Sequence, residues 1–246
     1  MKRISWQLIL GLSLIILSAV VYVIHYVIFR DPHHIFLYLI GDIAFVFFEV
    51  LLVTIVIHRL LSEREKRNRL EKLNMVIGVF FSEVGTKLLT FFSDFDPRLE
   101  QIKKDLVVTK NWSEVNFINI SRRLRNYDYG IDIKKVNLEH LRDFLITRRD
   151  FLLRLLENPT LLEHESFTEV LRAVFHMAEE FAARKDVKKL PDTDLEHIAG
   201  DIKRVYTLLV HQWLDYMKYL KDNYPYLFSL AMRTNPFDET ASPVVK

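Results

Sequence analysis

Two acids, Asp42 and Glu49, sit inside the apolar run "YLIGDIAFVFFEVLL" and are the residues whose setting most demands a chemical explanation. In a bilayer-spanning helix over residues 35–57 the midpoint falls near Val46, and a rise of about 1.5 Å per residue puts the two carboxyls roughly 4 to 6 Å to either side of it. Seven residues make nearly two turns, so both acids project from one face, with Phe45 and Val46 between them and Val53 beyond. A central Asp costs about 2.5 to 3.5 kcal/mol on insertion, whereas each Leu, Ile, Val or Phe returns about 0.3 to 0.6 kcal/mol. The run can still insert, at a margin that packing against another helix would widen. Three chemistries suit such acids: a cation or proton path formed by several assembled chains, protonated carboxyls bonding one helix to another, or capture of a ligand headgroup. Tyr22 and His25, on the preceding apolar run, stand at the depth of Asp42 and are its expected hydrogen-bond partners.

A second group of side chains has the makings of a metal site. Asp194, His197 and Asp201 share one helical face at i, i+3 and i+7, and His176 with Glu179 and Glu180 can face them from another helix, offering nitrogen and oxygen donors to a divalent cation. The spacing is permissive, and a solvated helix face has the same pattern. Two copies of the Glu-x-x-His motif of di-iron bundles are absent. His211 and Asp215 read as an i, i+4 surface pair. There is no cysteine, hence no thiolate chemistry and no disulfide framework. Glycine outside the apolar runs occurs only at 78, 85, 130 and 200, too sparse for a phosphate-cradling loop, and neither HExxH nor GxSxG occurs. The chain therefore does not read as an enzyme, and no motif points to a cofactor.

The elements that carry these residues begin with two apolar runs, about 4–29 and 35–57, separated only by "RDPHH". Each is long enough to cross a bilayer, so residues 1–58 read as a transmembrane hairpin with a tight turn at Pro32. No small-residue cleavage site follows the first run, which is expected to stay attached. Lys2 and Arg3 precede it and Arg59, Arg64, Lys66, Arg67, Arg69 and Lys72 follow the second, against a lone Arg30 in the turn. The positive-inside rule then puts both termini in the cytoplasm, with the chain in the cytoplasmic membrane and the basic flank near anionic headgroups.

Beyond the spans, apolar residues from Leu73 to Phe95 form a 3.6-residue stripe in a connecting helix over 59–97, read as an interfacial or bundle helix that ends at Pro97, with a narrow second strip of Gly78, Ser82 and Gly85 where another helix can approach closely. Residues 98–232 hold a short helix, an extended "LVVT", a helix from Ser113 to about Asn126, and three long helices at 138–157, 166–185 and 194–222. Ser166 with Glu169, and Thr193 with Glu196, look like capping boxes for the last two. Long helices on short loops give an antiparallel bundle. Residues 233–246 have turn formers and no periodicity, which predicts a mobile tail, with "NPF" as its one docking-like motif. The expected fold is thus all-α: a transmembrane hairpin followed by a cytoplasmic helical bundle.

With a formal charge of +2 the chain lacks the basic excess of a nucleic-acid binder, and "SRRLRNYDY" at 121–129 is a local basic patch. The expected partners are membrane lipids, further copies of the chain and a protein docked on the bundle. The expected role is a membrane-anchored interaction or regulatory protein, with an oligomeric cation or proton channel as the second reading and a metal-binding or enzymatic bundle as the third.

Overall fold

The computed structural model describes residues 6–162 and 164–244. Lys2, Arg3 and the first two residues of the expected first span lie outside the described residues, as do the last two of the tail. Every regular element among the described residues is helical. Two compact units divide the chain, Met1–Lys66 and Arg67–Lys246.

The first unit contains α1 (Trp6–Phe29) and the beginning of α2 (Pro32–Phe80). Their junction is only two residues long, Arg30 and Asp31. Arg30 takes a left-handed conformation, φ 48°, and its N–H donates to the Tyr26 carbonyl, ending α1 where glycine is the usual residue. Asp31 Oδ1 then accepts from the N–H groups of His33 and His34 at 3.0 and 3.2 Å, capping α2, and Pro32 occupies the first helical position, where its missing N–H costs nothing. Most described side chains of both helices are exposed along the apolar stretch, among them Ile15 at 67%, Ile40 at 68% and Phe47 at 75%, while His25, Ile35 and Leu39 are half-buried.

The second unit has a continuous core, which begins ahead of the expected bundle boundary at residue 98 and takes the connecting helix as a bundle helix. Leu73, Ile77, Phe80, Phe81, Val84, Leu88 and Phe92 are all buried, so the segment read as a connector to the bundle is one of its walls. The turn Phe81–Gly85 is a π-helix, closed by the Thr86 N–H donating to Phe81 O, and it leads into α3 (Thr86–Ser93). One extra residue in the turn rotates the apolar stripe, so that residues on both sides of it face α9. Gly85 is obligatory there: a Cβ would stand 2.6 Å from the Phe81 ring and 2.9 Å from the Phe80 ring. Gly78 serves the close approach anticipated for the small-residue strip, since a Cβ would meet Tyr216 Oη at 2.6 Å.

A 3₁₀ turn (Leu99–Gln101) and α4 (Lys103–Leu106) follow, and "LVVT" is not a strand but a loop with Val108 buried. α5 (Glu114–Arg125) has a capping box of Ser113 and Asn116, and Asn137 caps α6 (Leu138–Leu156) by accepting from the His140 N–H. After α7 (Pro159–Leu162) come α8 (Glu165–Ala183), α9 (Asp192–Asn223) and α10 (Pro225–Arg233). Neither expected capping box forms. His164 caps α8, accepting from the Phe167 N–H, while Ser166 donates instead to Gln212 Oε1 on α9; α9 starts after Pro191 with no side-chain cap.

α6 packs on α8 and α8 on α9, while α9 also carries α3, α5 and α10. The pairings Arg149 with Glu179 and Lys188 with Glu139 run in opposite chain directions and make α6 and α8 antiparallel. α9 is the central element because its stripe from Ile198 to Leu220 is buried over its whole length. The tail is another departure from expectation. Phe237 is 2% exposed with its ring edge-on to Trp213, and Asn235 Nδ2 donates to Leu106 O at 2.8 Å. The tail is thus anchored on the bundle through Asn235 and Phe237, and the phenylalanine of "NPF" is a core residue, not a docking side chain.

Candidate functional site

Each group of residues singled out by chemistry has a distinct fate. Asp42 and Glu49 are exposed on α2, and neither is hydrogen-bonded to another described residue. His25 does not turn to Asp42. Its ring lies 4.7 Å from that of Phe29 and 6.1 Å from that of His34, which in turn stands 4.6 Å from Tyr38. Tyr22 is likewise exposed. The aromatic cluster forms because the short Arg30–Asp31 junction brings the last turn of α1 beside the first turns of α2.

Along the basic flank Arg59 reaches Glu63 at 4.0 Å and Arg67 reaches Glu71 at 3.2 Å, both pairs highly exposed and worth little. Arg64, Lys66 and Lys72 have no ion pair among the described residues. In the patch at 121–129, Arg123 pairs with Asp105 at 2.8 Å, while Asp128 accepts from Arg98 and Lys203, which lie outside the patch. His211 and Asp215 do not pair; the His211 ring lies against Tyr129.

The histidines and carboxylates of α8 and α9 do come together, although not in the set expected. His176 and Glu180 stand one turn apart on α8, and His197 and Asp201 one turn apart on α9. Because the helices are antiparallel, the two pairs meet head to tail. His176 Nε2 is 3.9 Å from Glu180 Oε1 and 3.9 Å from Asp201 Oδ2; His197 Nε2 is 3.5 Å from Asp201 Oδ2 and 3.7 Å from Glu180 Oε2. The Asp201 side chain is only 8% exposed, and its Oδ2 is buried with no hydrogen-bond partner. Arg204 stands 3.6 Å from the other oxygen.

Two of the expected ligands lie elsewhere. Glu179 points across to Arg149 on α6 at 3.9 Å, because neighbouring positions on a helix face about 100° apart. Asp194 is taken by Arg184, which donates from Nε and Nη2 to its two oxygens at 2.9 and 2.7 Å and from Nη1 to Glu180 Oε2 at 2.6 Å. Spacing placed both Glu179 and Glu180 within reach of His176, but the choice between adjacent glutamates depends on where α6 lies.

The Arg184 guanidinium holds the carboxyls of Glu180 and Asp194 below their ordinary range. Carboxylates with depressed values stabilise the fold above the ordinary carboxylate range and lose that contribution as pH falls through the depressed values. Asp96 has the opposite sign, its carboxyl being pushed up by burial. A comparison isolates the cluster: in Arg184→Leu, the loss of unfolding stability between pH 5 and pH 3 is expected to be shallower than in the parent chain, read by denaturant titration at each pH.

A separate apolar groove of about 540 Å³ opens between the end of α2, α9 and α10, lined by Gly78, Phe81, Tyr216, Tyr219, Tyr224 and Leu230 among others. Tyr216 stacks on Phe81 with ring centres 5.4 Å apart and forms the groove's floor with it.

The molecule is therefore an all-helical protein that combines an apolar helical pair without a covering layer and a compact helical bundle with an acidic, histidine-bearing helix face. The chain belongs to the MJ1433 family. The model of that family's N-terminal helical domain matches residues 2–61, and the model of its C-terminal helical domain, described as that of uncharacterized protein MJ1433, matches residues 69–233. A relative from Methanocaldococcus jannaschii, uncharacterized protein MJ1433, is 48% identical over 233 residues, covering 95% of this chain and 94% of its own. No solved structure matches the chain.

Proposed function

We propose that α1 and the apolar part of α2 anchor this protein in the cytoplasmic membrane as a hairpin, with both termini in the cytoplasm, and that the bundle is an interaction or regulatory module of an oligomer. The observation that carries the reading is that none of the residues in the two apolar windows is buried by the protein itself. Such a surface is far beyond the few hundred Å² that monomeric soluble proteins leave open. α1 has 24 residues, a length of about 36 Å, enough for a hydrocarbon core of about 30 Å. The basic flank supports the orientation, and the apolar groove between α2, α9 and α10 supports a docking role for the bundle.

A cysteine-free chain makes the test clean, since each introduced thiol is the only one. Membranes carrying the protein are expected to retain it through an alkaline carbonate wash. His33→Cys is expected to react with an impermeant maleimide from outside, and Asn111→Cys only after permeabilisation. Extraction by carbonate alone, or equal labelling of both thiols in intact cells, would overturn the reading. The second reading, a cation or proton path, draws on the unpartnered carboxyls of Asp42 and Glu49, which leave one face of α2 acidic.

A further inference from the structure

The ring of donors on α8 and α9 has features that a solvated helix face does not need. A lone exposed acid or histidine is satisfied by water, but Asp201 Oδ2 is buried, accepts no hydrogen bond and faces two imidazole nitrogens. A buried carboxylate oxygen without a partner is destabilising, so the site is incomplete without something positive at that point. The four contacts, 3.5 to 3.9 Å, are too long for hydrogen bonds. They come close to a different distance: donors bound tetrahedrally to zinc at about 2.0 to 2.1 Å stand about 3.3 to 3.4 Å from one another.

We infer that His176 Nε2, His197 Nε2, Asp201 Oδ2 and a Glu180 oxygen bind one first-row divalent cation of the zinc type, clasping α8 to α9. As the side chains stand, no three among the described residues converge at binding distance; the donors must draw together around the ion. The side chains of His176 and His197, 47% and 54% exposed, are free to make that movement, whereas buried Asp201 is held in place. Charge favours the cation. Three carboxylates, Glu180, Asp194 and Asp201, stand against two guanidiniums, Arg184 and Arg204, so the cluster keeps a net negative charge, and Oδ2 of Asp201 faces only the imidazoles. The bond from Arg184 to Glu180 Oε2 orients that carboxylate, as outer partners orient metal ligands generally. Two imidazoles and two carboxylates without a thiolate suit Zn²⁺, Co²⁺ or Ni²⁺ better than Ca²⁺ or Mg²⁺, which favour all-oxygen sites.

The full chain, purified without a histidine tag and stripped with a chelator, is to be titrated with ZnCl₂ by calorimetry and with CoCl₂ by visible absorption. One Zn²⁺ per chain is expected, with a rise in melting temperature and a Co²⁺ spectrum of four-coordinate intensity. The His176→Gln, His197→Gln double variant is expected to lose more than about 100-fold in affinity, since losing even an outer partner costs about 10- to 100-fold. Its circular dichroism should match the parent's. Should the double variant unfold, His197→Gln alone is expected to weaken binding at least about tenfold, while Glu179→Gln leaves it unchanged. Affinity weaker than about 1 mM in the parent chain would overturn the inference, as would equal binding by parent and double variant. Stability that follows pH through the histidine range but ignores Zn²⁺ would also overturn it and leave plain histidine-carboxylate ion pairs.

Discussion

Phe237→Ala is expected to destabilise the bundle by about 3 to 5 kcal/mol, the usual cost of emptying a fully buried aromatic site. Phe237 is 2% exposed and edge-on to Trp213, so truncation leaves a hole beside α9 that backbone constraints prevent from closing. The segment around it is held by more than this ring. Asn235 Nδ2 bonds Leu106 O, and its Oδ1 accepts from the Phe237 N–H at 2.9 Å, so the asparagine ties the tail to the end of α4 and also fixes the turn that presents the phenylalanine. Lys103 pairs with Glu239, and Arg233 donates to the Pro243 carbonyl. In a unit of this size the loss corresponds to a fall of about 6 to 20 °C in melting temperature, since 1 kcal/mol shifts it by about 2 to 4 °C. Phe237→Leu is expected to recover most of it. A loose tail would instead give a change within about 0.5 kcal/mol, as exposed substitutions do.

The second large effect concerns the acids of α2. In the proposed membrane setting Asp42 and Glu49 have no hydrogen-bond partner within their own chain, so a second copy or a water-filled path must supply one. If they bond neighbouring copies, Asp42→Leu with Glu49→Leu is expected to insert at least as well as the parent. It is expected to lose self-association by roughly 30- to 1,000-fold, at about 1 to 2 kcal/mol for each interhelical bond. Asp42→Asn with Glu49→Gln keeps hydrogen-bonding capacity and should stay assembled. Subunit counting by stepwise photobleaching in vesicles reads the difference. Proton and monovalent-cation flux through the same vesicles separates the two readings. Flux in the parent that collapses in the Asn/Gln variant while assembly persists would favour the ion path; no flux, with assembly lost only in the Leu variant, would favour carboxyls that bond helix to helix.

Some of this was legible in the residue pattern because periodicity is a local property. The 3.6-residue stripes placed α5, α6, α8 and α9 to within a few residues, and Gly78 correctly marked the close approach of another helix, whereas Gly85 makes room for the Phe80 and Phe81 rings of its own segment. Caps were less legible, since Ser166 has a capping pattern in sequence yet His164 accepts the backbone N–H of Phe167, and Ser166, already inside the helix, donates to Gln212, a residue 46 positions away. The tail was misread for the same reason. A segment with turn formers and no period looks unstructured until its one phenylalanine meets a gap beside Trp213, which no local signal reveals.

By itself the sequence determined the helical class, the two apolar runs with their basic flank, and the presence of histidine-carboxylate pairs one turn apart, because each follows from residue types within a turn or two. Only the tertiary structure decided that residues 73–92 form a wall of the bundle, that a π-turn rotates them toward α9, and that His176 and Glu180 meet His197 and Asp201 while Glu179 and Asp194 are claimed by arginines. Those outcomes depend on which helix lies across from which, and that choice is made by burial summed over the whole core.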